Sequence, residues 1–149
     1  MSGTPVREQI LTALLSRLAT VPGVPTGSIL RDPSEPVETV PALVLRDLGE
    51  VATPDFSGED AYTLSFDVEI YAGGNDDAAS LAALSGLRAQ VDKALAADPT
   101  LGGRVRRLEP RDEPPPTPGN VDGHPNIRAA ARGYEIDYAT REGDPFAFA

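Results

Sequence analysis

Residues 61–72 read Ala61-Tyr62-Thr63-Leu64-Ser65-Phe66-Asp67-Val68-Glu69-Ile70-Tyr71-Ala72. Tyr62, Leu64, Phe66, Val68 and Ile70 alternate with Thr63, Ser65, Asp67, Glu69 and Tyr71, a strict period of two. The stretch predicts a strand with one face on a core and the other open to water or to a partner. One-sided strands of this kind are usual in antiparallel sheets. Asp67 and Glu69 fall on the open face. Two carboxylates so placed can share a proton as an acid/base pair, but the commoner fate is a solvated sheet face.

Downstream, Gly73-Gly74 ends the strand, and Asn75-Asp76-Asp77 supplies a cap and negative charge for a helix start. Leu81, Leu84, Leu87, Val91 and Leu95 give that helix a buried stripe, and Asp98-Pro99 stops it. Gly102-Gly103 turns the chain into a strand candidate over 104–109. There Arg104 and Arg106 project to one side and Arg107 to the other. Ile127–Thr140 reads as a last strand with Tyr134, Ile136 and Tyr138 on one face. Upstream, Thr4 suits a helix N-cap and Pro5 the first helical position. Val6, Ile10, Leu11, Leu14, Leu15, Leu18 and Val21 follow at helical spacing. Ser28–Arg31 and Pro41–Arg46 are short strand candidates, and 49–60 reads as a turn or hairpin loop. Together these predict a single α+β domain over 1–149. It has an antiparallel or mixed sheet of four to five strands and two helices on one face. The ordered core is expected over 5–145.

Pro110, Pro114, Pro115, Pro116, Pro118 and Pro125 crowd residues 110–126. Such a segment reads as a long loop, stiff and extended where three prolines adjoin, and as a candidate partner contact. Phe146-Ala147-Phe148-Ala149 reads as a mobile tail unless docked.

The chain has 149 residues, no Cys and one His, and carries a formal charge of −10. Zero Cys excludes disulfides, Cys-zinc sites and thiol catalysis. No apolar run reaches the roughly 20 residues that span a bilayer, so no membrane partner is expected. The N-terminus shows no secretory signal pattern. Net negative charge disfavours tight nucleic-acid binding. The charge is uneven: residues 32–98 hold 14 acids and 3 bases, while the remainder holds 9 acids and 10 bases. That polarity allows head-to-tail pairing between copies, although the commoner role of such charge is a solvated acidic surface that keeps a chain soluble.

Candidates for chemistry are few. His124, in Asp122-Gly123-His124-Pro125, has turn composition. Asp76 and Asp77 could hold a hard cation with Asp92 or Asp98, but helix capping accounts for them. Gly73-Gly74-Asn75 lacks the Lys-Ser/Thr of a phosphate loop. No catalytic residue, metal site or cofactor is expected.

The whole layout resembles one known group. It combines the Ile10–Leu18 helix, the Pro41–Leu45 strand, the long strand Tyr62–Ile70 and the helix Ala79–Ala97. That helix runs into Asp98-Pro99-Thr100-Leu101-Gly102-Gly103. The chain closes on Tyr134-Glu135-Ile136-Asp137-Tyr138, with Thr140-Arg141-Glu142-Gly143-Asp144-Pro145 following. This is similar to the tail terminator proteins of long-tailed bacteriophages, the minor tail protein U group, and their relatives in gene transfer agents. The resemblance covers about residues 5–145. It implies a virion structural protein, made in the host cytoplasm, that forms a hexameric ring at the head–tail junction. The ring caps the tail tube, stops its growth and meets the head–tail connector, with DNA passing only in transit. On that reading Asp67 and Glu69 face the lumen or a neighbouring subunit. Arg104, Arg106 and Arg107 meet acids of the next subunit. The loop over 110–126, with Pro114, Pro115, Pro116 and Pro118, departs from that layout and reads either as an insertion that contacts a partner or as a segment ordered only on assembly. Two alternatives are another head–tail neck protein and an acidic, monomeric binding or inhibitor protein.

Overall fold

The computed structural model describes residues 3–53, 57–111, 117–118 and 127–149. Two helices lie against one face of a mixed sheet. The element order is α1 (Val6–Leu18), a 3-10 turn (Thr26–Ser28), β1 (Ile29–Arg31), β2 (Ala42–Thr53), β3 (Glu59–Gly73), α2 (Asp77–Ala96), β4 (Arg107–Pro110), β5 (Thr117–Pro118), β6 (Ile127–Arg141) and β7 (Asp144–Phe148). The strands run in the order β1-β2-β3-β6-β4, with β5 and β7 also on β6. Only β1–β2 is parallel. β6 pairs with β3 over its whole length. Its other side is therefore shared end to end by β5, β4 and β7.

The alternation of β3 is realised as written. Leu64, Phe66, Val68, Ile70 and Ala72 are buried beneath the helices, with Leu43 and Leu45 of β2 and Tyr134, Ile136 and Tyr138 of β6. Phe66 stacks on Tyr134 and Tyr62 on Tyr138, with ring centroids 5.3 and 5.2 Å apart. From α1, Val6, Ile10, Leu11, Leu14 and Leu18 close the core, and Val21 follows beyond the helix end. α2 contributes Leu84, Leu87, Val91, Ala94 and Leu95. The two helices touch directly, where the Arg17 Nε donates to the Ala94 carbonyl at 3.0 Å.

Several expectations are corrected. Pro5, not Thr4, occupies the N-cap of α1, and no side chain caps that helix. A proline needs no partner for an N–H it lacks. Leu81 is 43% exposed, and Ser80 takes the stripe position instead. The cause is Gly74: a Cβ there would come within 2.9 Å of Ala79 and Ser80 backbone atoms, so the first turn of α2 is pressed against the end of β3. Ser80 fits that contact and bonds its hydroxyl to the Asp76 carbonyl. β2 does not stop at Arg46. It continues to Thr53 through a bulge between Asp47 and Glu50, where Gly49 adopts φ +91°. The bulge hid the second half of the strand by breaking its alternation. β4 starts at Arg107, so Arg104 and Arg106 precede it. Within the expected 110–126 loop, Pro110 ends β4 and Thr117–Pro118 form β5. The tail expected to be mobile is β7, folded back along β6, with Phe148 packed on the core.

The outer face is not bare throughout. Val37, from the proline-rich connection, covers Ala42 and Val44, with Leu30 and Tyr71 packed beside them.

Candidate functional site: the outer face of the sheet

Opposite the helices, the odd-numbered residues of β3 line up with their partners in rungs. One rung is Arg46, Asp67 and Gly133; another is Val51, Thr63, Asp137 and Arg107; between them lie Ser65, Glu135 and Glu109. Asp67 and Glu69 do share this face, as the alternation predicts. Each, however, has its own arginine. Glu69 accepts from Arg46 Nε at 3.2 Å and from the Tyr71 hydroxyl at 3.2 Å. Asp67 accepts from Arg111 Nη2 at 2.7 Å. Arg111 reaches it by lying flat over Gly133, where a Cβ would meet the guanidinium at 2.8 Å. Gly133 is thus the gap through which β3 and the end of β4 are joined across β6. Asp67 and Glu69 are thus held by separate arginines and not by one another.

Arg107 completes the pattern, bonding Asp137 at 2.8 Å and Glu109 at 3.1 Å. The Thr63 hydroxyl also donates to Asp137, at 2.9 Å. The face carries Glu59, Asp67, Glu69, Glu109, Glu135 and Asp137 against Arg46, Arg107, Arg111 and Arg141, with Arg106 reaching Glu59 from the edge. The rung of Glu135 holds two carboxylates, of which Arg107 reaches Glu109, so the surplus negative charge centres on Glu135 rather than on Asp67 and Glu69.

The three arginines singled out in the sequence do not act as one cluster. Arg104 bonds the Leu101 carbonyl at 3.0 Å, Arg106 pairs with Glu59, and Arg107 turns to the outer face. The side chains of Arg106 and Arg107 are still 53% and 49% exposed. Pro118 lies in β5 opposite Arg128; Pro114, Pro115, Pro116 and His124 lie outside the described residues.

On the helix side, two polar knots tie helices to strands. Arg7 of α1 holds Asp47 and Glu50 beside the bulge, at 2.6 and 3.0 Å, and Glu50 also accepts from the Tyr138 hydroxyl at 2.6 Å. Burial works to raise the Asp47 carboxyl, but the Gly49 N–H and Arg7 outweigh it and hold its pKa low. Asp92 of α2 accepts from Tyr134 and Arg132, while burial first and Asp92 second push the Tyr134 phenol well above its ordinary value. Tyr138 is raised in the same way, by burial and then Glu50.

The carboxylates weighed as metal ligands have structural partners. Asp76 caps α2 through the Ala79 N–H at 2.7 Å, Asp77 pairs with Arg128, and Asp98 accepts from the Gly102 N–H. Among the described residues no three His, Cys, Asp or Glu side chains are grouped to hold a metal ion. No helix there is long and apolar enough to cross a membrane. A hollow of about 430 Å³ beside α2 is lined by Pro22, Val40, Pro41, Ala83, Leu87 and Gln90 among others, with no ionisable group.

The missed residues of the face are Arg46, Arg111, Gly133, Glu135 and Asp137. For Glu135 and Asp137 the signal was present, since they alternate with Tyr134, Ile136 and Tyr138. For Arg111 over Gly133 there was none. No protein-family model matches the chain. No curated protein matches it either.

Proposed function

We propose that this chain is a structural protein of a phage-like particle, a tail terminator. Copies form a ring, hexameric by the resemblance in layout, that caps the tail tube, ends its polymerisation and meets the head–tail connector. The observation that carries this reading is the outer face. It is a broad platform across β2, β3, β6 and β4, cross-tied by ion pairs and carrying a net negative charge. Turned toward a lumen, such a face repels phosphate and lets DNA slide through without sticking. Turned toward a neighbour, it offers fixed charges for register. The arginine-bearing β4 edge favours a self-associating protein over an acidic monomeric inhibitor, because an inhibitor of a basic partner has no use for an exposed cationic edge.

The test is immunogold microscopy on particles from the strain that encodes the chain, with an N-terminal epitope tag, combined with deletion of the gene. Label at the head–tail junction and overlong tails on deletion are expected. Label at the junction with tails of normal length would assign a different neck protein. Unlabelled particles, with the tagged chain elsewhere, would sink the assembly reading.

A further inference from the structure

The two lateral edges of the sheet are unlike each other and fit together. β1 covers β2 only along Leu43–Leu45, so among the described residues no strand pairs with the edge of β2 away from β3 between Leu48 and Thr53. Leu48 and Val51 there are 50% and 70% exposed, two of the four exposed large apolar side chains described. At the other edge stands β4. The register places the two edges at the same height. Val51 shares a rung with Arg107 through Thr63 and Asp137, and Glu50 shares one with Leu108 through Leu64 and Ile136. Each neighbouring pair from β2 to β4 is antiparallel, so β2 and β4 themselves run in opposite directions.

A copy displaced sideways, with no shift along the strands, therefore brings its β4 beside the open stretch of β2 in antiparallel sense. Charge favours that meeting. Glu50 lies within that stretch and Asp47 just before it, both also held by Arg7, while residues 104–111 hold four arginines and one carboxylate. A symmetric β2–β2 or β4–β4 contact would set like charges together.

We propose that the Leu48–Thr53 edge of one copy receives the β4 edge of a second copy, with Val51 covered by the stem of Arg107. The contact is heterologous: each copy keeps one used and one free edge, so it repeats, and it closes into a ring when the twist between copies supplies the matching rotation. Pro110 limits the backbone bonds β4 can offer, which leaves side-chain burial and charge as the main attraction. The inference rests on the self-assembly in the proposed function and specifies its surface.

Disulfide trapping tests it cleanly, since the chain has no cysteine. Within one copy β2 and β4 are three strand spacings apart, about 14 Å, beyond the roughly 7 Å a disulfide tolerates. Val51→Cys mixed with Arg107→Cys under mild oxidation is expected to give a covalent dimer and no larger species. The double variant Val51→Cys/Arg107→Cys is expected to give a ladder ending at the ring. Adding Arg106→Glu to the Arg107→Cys partner should cut the adduct about tenfold. No adduct in the mixture, or Val51→Cys alone dimerising as readily, would overturn the proposal. The same oxidation in tagged particles separates the two claims. A ladder from the purified chain with no label at the head–tail junction keeps the contact and discards the terminator. Label at the junction without the ladder does the reverse.

Discussion

The two faces of the sheet use the same strands to opposite ends. Toward the helices, β3 presents Leu64, Phe66, Val68 and Ile70, all fully buried. Toward the outside it presents Thr63, Ser65, Asp67 and Glu69, all partly exposed. The inner face is held by packing and fails if volume is lost. The outer face is held by ion pairs in contact with water, each worth little alone, and its value lies in fixing charge in register. Stability and partner contact are thereby assigned to different faces of one strand.

The comparison breaks most visibly at Phe66. Phe66→Ala leaves a cavity beneath both helices and is expected to cost about 3–5 kcal/mol, read by denaturant unfolding. The loss should leave the outer ion pairs spectroscopically intact in whatever fraction still folds. Next is Gly74→Ala, where the added methyl meets the backbone of the first α2 turn; about 1–3 kcal/mol is expected from overpacking, with thermal unfolding as the measurement. A comparable loss on replacing Gly86, whose Cβ would meet nothing within 4 Å, would refute the close contact as cause.

Alkaline titration reads the phenols of both faces, Tyr134 and Tyr138 beneath the helices and Tyr71 beside Glu69 on the outer face. All four tyrosines, Tyr62, Tyr71, Tyr134 and Tyr138, are raised above 10.0, burial being the first cause in each. A raised folded pKa means stability is fully present below the unfolded value near 10 and is lost as pH climbs toward the folded value. The folded chain should therefore show less tyrosinate at pH 10 than the unfolded chain, with Tyr134 and Tyr138 the last to ionise. At the acid end Asp47 is lowered, so its contribution is present above the unfolded carboxylate range and disappears as pH falls through the lower folded value. Asp47→Asn should flatten that acid limb of a stability profile.

Smaller effects belong to the outer face. Gly133→Ala displaces Arg111 from Asp67 at a cost of about 1 kcal/mol or less, since a flexible side chain can move; loss of coupling between Asp67 and Arg111 in a double-mutant cycle would show it. Glu135→Gln relieves a carboxylate that faces Glu109 directly across the ladder, and a gain of a few tenths of a kcal/mol is expected. A clear loss of stability instead would mean that Glu135 holds an attractive contact.

The period-two run of β3, the helix stripes of α1 and α2 and the Asp76 cap could be read directly from the chain. Each depends on residues close in sequence, and each face announces itself by hydrophobic spacing. The bulge in β2 could not, because one extra residue inverts the alternation and the second half of the strand then reads as polar loop. Nor could β7, whose five residues carry no period long enough to be seen and are ordered by docking on β6 and α1. The candidate site divides in the same way. Asp67 and Glu69 were visible as neighbours on one face, since strand geometry alone puts i and i+2 together. Their arginines were not, because Arg46, Arg111 and the Gly133 gap come from three separate segments.

The sequence by itself determined an α+β domain with a one-sided central strand, two amphipathic helices and an acidic middle. Those properties follow from spacing and composition. Only the tertiary structure decided which charges are neutralised, which edge of β2 stays open and that β4 stands level with it. Registers between distant strands are set by the packing of the whole sheet, and no local pattern carries that information.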